Sequence, residues 1–230
     1  MKKSPKQAAF ETEFSDNFKP NWYQKIIMKY ELYRDDVIVS LIPNKGKVVV
    51  DVPCGDGLLL AKVADRFDTL IGLDISTVRL KNAAKNLSAH ARKLELQQHD
   101  VDTGLPFASN SVDVLTCNAS IGCFVHPELF LDEVNRVLKK DGVFILQIGN
   151  YAFLLRRLAL LFGYLPKISA FTGFGDGGML HYFTYDSLAE LLRQHNLVVT
   201  KTSNSGLLAS VRKIWPSLLA SDIIYQAVKA

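Results

Sequence analysis

The stretch that most restricts the fold is VVVDVPCGDGLLL, residues 48–60. Its β-branched run reads as a buried strand, and the leucines after Gly57 open a helical pattern. A strand that becomes a helix within a few residues, through Gly55 and Gly57, sets bare backbone beside whatever it faces. In an open α/β sheet, ligands bind beyond the carboxyl ends of the strands, where strand order reverses. The turn after the first strand is the usual place.

The rest of the chain continues the alternation. LLLAKVADRF reads as a helix, TLIGLD as a strand, and a further helix follows over about residues 76–89. KLELQQHD and SVDVLTCN are the third and fourth strands. HPELFLDEVNRVLKK is a helix with Pro127 at its first position and Phe130, Val134 and Val137 on one face, stopped by Asp141-Gly142 before the strand VFILQI. Such alternation predicts a parallel sheet with helices on both faces.

After Gly149 the pattern changes. An apolar helix over about 151–163 leads into the Gly/aromatic loop ISAFTGFGDGGMLHYFTYD. A helix then starts near Asp186, with Ser187 and Glu190 at capping-box spacing, and two strands close the chain, NLVVTKTS and DIIYQAVK. The first forty residues are rich in aromatics (Phe10, Phe14, Phe18, Trp22, Tyr23, Tyr30, Tyr33) and read as helical from about Asn21.

Composition excludes several classes. A net charge of +4 over 230 residues, with no dense Lys/Arg block, does not suggest a nucleic-acid partner. Cys54, Cys117 and Cys123 fit neither a disulfide framework nor a zinc spacing, so no metal is expected and reduced thiols in the cytoplasm are. The N-terminus lacks the apolar core of a secretory signal. The apolar stretch YAFLLRRLALLFG is interrupted by Arg156 and Arg157 and is too short to span a bilayer, although it could lie on a membrane surface.

The acids decide between two nucleotide readings. Asp51 and Asp56 flank the glycine turn, where carboxylates would repel a pyrophosphate but suit a ligand with a cationic part. The dinucleotide fingerprint G-x-G-x-x-G also fails, because Leu60 stands at its third glycine. Asp74 ends the second strand, where a carboxylate can accept from ribose hydroxyls. Asp100 and Asp102 follow the third strand on the same rim. A nicotinamide dehydrogenase is therefore disfavoured.

This set resembles the class I S-adenosylmethionine-dependent methyltransferases (type 11, MetW- and UbiE-like), closely over residues 45–148 and in outline elsewhere. Asp51-Val52-Pro53-Cys54-Gly55-Asp56-Gly57 is similar to their glycine motif, with Pro53 where the first glycine usually stands. LPFASNSVDVLTCNAS and RVLKKDGVFIL resemble their later motifs. The resemblance implies a Rossmann-like, seven-stranded, mostly parallel sheet whose last strand is antiparallel, inserted between the fifth and sixth. It implies one domain over 1–230: a helical lid (1–44), a cofactor core (45–148), a substrate-cover insert (149–185) and a C-terminal helix and strands (186–230).

The cofactor it implies is S-adenosyl-L-methionine. The loop Asp51 to Gly57, Pro53 and Cys54 included, would approach the methionine part, and Asp74 with Ile75 the ribose. Asp100 or Asp102, with Val101 between, would approach the adenine amino group. Asn118 would line the same site.

A sulfonium methyl is already activated, so the protein need only align a nucleophile and manage charge, with a base if the nucleophile arrives protonated. His126, His181 and Tyr182 are the candidates for that chemistry, each with the competing reading of a cap or a packed loop residue. The motifs that resemble nucleic-acid and protein-arginine methylation are absent, which leaves a small-molecule acceptor, lipids and sugars included. The alternative is a methyltransferase-like binding or regulatory partner that keeps the fold without turnover.

Overall fold

The computed structural model describes residues 34–163, 179–205 and 214–230. The N-terminal aromatics, most of the Gly/aromatic loop and residues 206–213 lie outside the described residues. A helical segment, α1 (34–41), precedes a seven-stranded sheet. The strands are β1 Gly46–Asp51, β2 Phe67–Asp74, β3 Leu94–Gln98, β4 Val112–Asn118, β5 Leu138–Gly149, β6 Leu197–Ser203 and β7 Asp222–Lys229. They lie in the order 3-2-1-4-5-7-6. β1 to β5 pair in parallel, while β7 runs antiparallel to both β5 and β6. The inserted antiparallel strand and the parallel core are those expected.

The helices are α2 Leu58–Val63, α3 Thr77–Asn86, α4 Pro127–Val137, α5 Leu154–Leu161, α6 Tyr185–Gln194 and α7 Pro216–Leu219. They bury two apolar layers, one on each face of the sheet. Phe130, Leu131 and Val134 of α4 and Leu188 and Leu192 of α6 pack on Leu115, Phe144 and Leu146. Ile38, Leu59, Leu60 and Val63 pack on Val49, Val114 and Ile145 from the other side. Phe130 meets Phe124 and Phe144 edge to face, with centroids 4.9 and 6.3 Å apart, a geometry that adds to simple burial. Among the described residues no helix is long and apolar enough to cross a membrane.

Boundaries depart from expectation where tertiary contacts outweigh local pattern. α4 ends at Val137, not Lys140: Leu138 turns extended, is fully buried and pairs with Val112. Asp141-Gly142 consequently lies within β5, where the register jumps between Val112 and Val114, and does not stop a helix. α6 starts at Tyr185, one residue before Asp186, and its capping box is Thr184 with Ser187, three residues ahead of the expected Ser187–Glu190 pair. Glu190 instead pairs with Arg193 and Gln194. α5 is shorter than its apolar pattern implied and buries none of its residues.

Candidate active site

The glycine turn sits at the carboxyl end of β1, whose neighbours β2 and β4 lead in opposite directions across the sheet. The Val52–Pro53 peptide is cis. Cys54 donates its N–H to the Leu73 carbonyl (2.8 Å), and Gly57 donates to the Cys54 carbonyl (2.9 Å), closing the turn onto β2. Gly55 (φ 52°) and Gly57 (φ 73°) both adopt left-handed backbone. Their surroundings differ. A Cβ on Gly57 would come within 2.8 Å of Leu87 and 3.0 Å of Ala83, whereas at Gly55 the nearest atom is Arg79 Nη1 at 3.6 Å. Gly57 is thus packed against α3, whereas a Cβ at Gly55 would make only an ordinary contact with Arg79.

Three carboxylates surround this turn in different states. Asp51 is 2% exposed and accepts from Thr116 Oγ1 at 2.5 Å. Burial, opposed by that hydrogen bond and assisted by Asp35 and Asp74, pushes its pKa up to about 7. Asp74 accepts from the N–H groups of Gly55 (2.9 Å) and Ser76 (2.8 Å), and burial still leaves its carboxyl above the ordinary range. Asp56 turns onto α3, where it meets Arg79 Nη1 (2.7 Å) and Asn82 Nδ2 (3.2 Å). Its side chain braces the loop. Cys54 is buried, and burial raises its thiol far above the usual range, so it is a packed neutral group.

On the β3 side, Asp100 Oδ1 accepts from the Asp102 N–H, and Val101 is buried. Asp102 Oδ1 accepts from the N–H groups of Val125 (3.0 Å) and His126 (3.3 Å), fixing the loop after β4. Ile75 is half-buried beside Asp74. On the β4 side, Asn118 stands opposite Gln147 of β5 in register. The side-chain oxygens of both are buried with no hydrogen-bond partner among the described residues. Strand alternation sets Asp51, Thr116, Asn118 and Gln147 on one face of the sheet, so acceptor atoms gather at its carboxyl edge.

The three candidates for proton chemistry part company. His126 is exposed at the N-cap of α4 and its ring makes no hydrogen bond among the described residues. His181 is half-buried against Phe183 (centroids 6.5 Å), its Nε2 is buried without a partner among the described residues, and its backbone N–H donates to the Gly122 carbonyl (2.9 Å). Tyr182 meets the Tyr151 ring edge-on at 4.5 Å. The structure therefore brings His181 to the turn after β4 and Tyr182 against Tyr151, just past β5.

An acceptor-rich edge, an open left-handed glycine and unpartnered buried oxygens together fit a ligand with hydrogen-bond donors and a cationic end. Residues 50–146 match the family described as a methyltransferase domain. Over these residues, about two-fifths of the chain, it is similar to S-adenosylmethionine-dependent methyltransferases. It is 33% identical over 112 residues to an uncharacterized chloroplastic methyltransferase of Arabidopsis thaliana, covering 46% of this chain and 31% of that protein. It is 29% identical over 152 residues to the ubiquinone biosynthesis O-methyltransferase of Psychrobacter cryohalolentis, covering 63% and 58%. The matches thus span about a third to three-fifths of these relatives' length. Magnesium protoporphyrin IX methyltransferase from Synechocystis PCC 6803, with bound S-adenosylhomocysteine, shares the fold at a TM-score of 0.70 and 16% identity, over 99% of this chain and 96% of that one.

Sequence reasoning passed over Thr116, Gln147 and the Arg79–Asn82 brace. Two of these carried a signal: Thr116 and Gln147 are polar residues inside otherwise apolar strand runs, where a buried polar group demands a partner. Arg79 and Asn82 had none, because their partner Asp56 is distant in sequence.

Proposed function

We propose that the chain binds S-adenosyl-L-methionine at the carboxyl edge of β1, β2 and β4 and transfers its methyl group to a small-molecule acceptor. The observation that carries this is the buried acceptor pole around Asp51, beside the loosely surrounded left-handed Gly55. The bound cofactor supplies a methyl on a positively charged sulfur, ready for in-line displacement.

Within this reading Asp51 and the Asn118 oxygen receive the cofactor's ammonium. Gly55 lets the chain approach, and Gly57, Pro53, Cys54 and Asp56 hold the loop in shape. Asp74 and Ile75 bound the ribose. Asp100, with Val101, takes the adenine amino group, because Asp102 is tied to the loop after β4. His181 takes the proton of an acceptor hydroxyl at its unpartnered Nε2, with Tyr182 beside it. His126 serves as a helix cap position.

An acceptor with an apolar or planar body is supported by Tyr151, Tyr182 and Phe183 near this histidine, and by relatives named for ubiquinone biosynthesis and magnesium protoporphyrin IX. The free cysteines suit a reducing compartment such as the cytoplasm.

Calorimetric titration with S-adenosylhomocysteine tests the reading. Wild type should bind, and Asp74→Asn should weaken binding by about tenfold, the scale of one charge-assisted hydrogen bond. Asp74→Ala should also lower the thermal midpoint, because the Gly55 and Ser76 N–H groups lose their acceptor. Absence of binding by folded wild-type protein would sink the reading. Binding without turnover over a broad acceptor panel would favour the regulatory alternative.

A further inference from the structure

Arg156 lies in the first turn of α5, and its guanidinium folds back over the carboxyl end of β5. Nη1 donates to the Asn150 carbonyl (2.9 Å), and Cζ stands 4.8 Å from the centre of the Tyr151 ring. The contact with β5 is tight enough that a Cβ on Gly149 would come within 2.9 Å of Nη1. Burial lowers the pKa of this group, as removing a cation from water must. Yet Arg156 makes no ion pair among the described residues. The carboxylate whose charge reaches it, Asp222, is engaged by the Ser205 and Ser221 hydroxyls.

The helix does not compensate this charge. α5 has no acid in its first turn and no side-chain cap, and Arg157 adds a second cation there. Positive side chains oppose the helix dipole at that end. Tyr151 carries the guanidinium on its face and Tyr182 on its edge, and its N–H donates to the Phe183 carbonyl (2.9 Å). The cation, the two tyrosines and the segment bearing His181 therefore share one corner, one strand beyond Asn118.

We propose that Arg156 is the acceptor's specificity residue: it takes a carboxylate or phosphate of the methyl acceptor, whose apolar body lies against Tyr151 and Tyr182. The inference rests on the methyl-transfer reading and adds the charge class of its substrate. A guanidinium bedded on an aromatic ring keeps its edge for an anion, and no donor but arginine offers that planar fork.

Matched probes of one shape and different charge test it: 2-naphthoate, 2-naphthyl phosphate and neutral 2-naphthamide, titrated into protein saturated with S-adenosylhomocysteine. Wild type should prefer an anionic probe to the amide by about tenfold, and the tighter of the two anions identifies the acceptor's group. Arg156→Gln should erase that preference with amide binding unchanged, and Arg156→Lys should keep part of it. S-adenosylhomocysteine affinity, read separately, should be the same in both variants, so loss of the cofactor reading and loss of this one are distinct results. In wild-type protein, the Arg156 Nε–H resonance should move with the anion and not with the amide. Equal binding of the three probes, binding of none, or an anion preference that survives Arg156→Gln overturns the proposal.

Discussion

Asp51→Asn is expected to stabilise the cofactor-free chain by on the order of 4 kcal/mol at about pH 8 while weakening S-adenosylhomocysteine about a hundredfold. The first effect follows from a carboxyl buried at the end of β1, raised from 3.8 to about 7 chiefly by desolvation. Between those two values the folded chain holds a proton that the unfolded chain has released. Stability contributed by this group is therefore full below the lower value and falls as pH rises through the upper one. Asparagine keeps an acceptor for the Thr116 hydroxyl and has no charge to bury. Denaturant midpoints from about pH 4 to 8 should thus slope downward in wild type and lose most of that slope in the variant.

The second effect has the opposite sign because the ligand's ammonium favours the ionised form. Wild-type affinity should rise with pH through about 7, and the variant's should stay flat over the same range. A pH-independent wild-type affinity would remove Asp51 from the cation's contacts. On the proposed reading Asp51 is costly to the empty protein and useful to the loaded one.

The two left-handed glycines should separate cleanly. Gly57→Val adds a branched side chain at φ 73° and drives it into Leu87 and Ala83, so a loss of about 3 kcal/mol or more is expected. Gly55→Ala meets nothing closer than 3.6 Å and should lose only about 1 kcal/mol, the conformational part alone. Its Cβ instead enters the space assigned to the cofactor, and affinity should fall by about tenfold or more. Thermal unfolding and calorimetry on the two variants read these separately. Comparable affinity loss in a well-folded Gly57 variant, with none at Gly55, would reverse the assignment of the open side.

How much was legible follows from where each signal lies. Asp51 and Asp74 were readable because each falls at a strand end set by local apolar pattern, and Asp100 lies two residues past β3. The antiparallel strand inserted between β5 and β6 was legible through the family resemblance and not through any local pattern. Asp56 was equally visible as an acid, but its turn toward α3 depends on Arg79 and Asn82, and no local rule announces that. The end of α4 was misjudged because Leu138 satisfies a helical face and a buried strand position alike, and pairing with Val112 selects the strand. His126 and His181 look alike in sequence. Only the packing of Phe183 and the Gly122 carbonyl distinguishes a sheltered imidazole from an exposed one.

The double acceptance at Gly122 has a consequence for how such a chain can diversify. Its carbonyl holds the N–H groups of Leu180 (2.7 Å) and His181 (2.9 Å), while Phe183 holds Tyr151. Residues 180–183 are thereby tied to the turn after β4 and to the segment just past β5. Because main-chain atoms make these contacts, the side chains of residues 180–183 are free to vary while the segment stays in place.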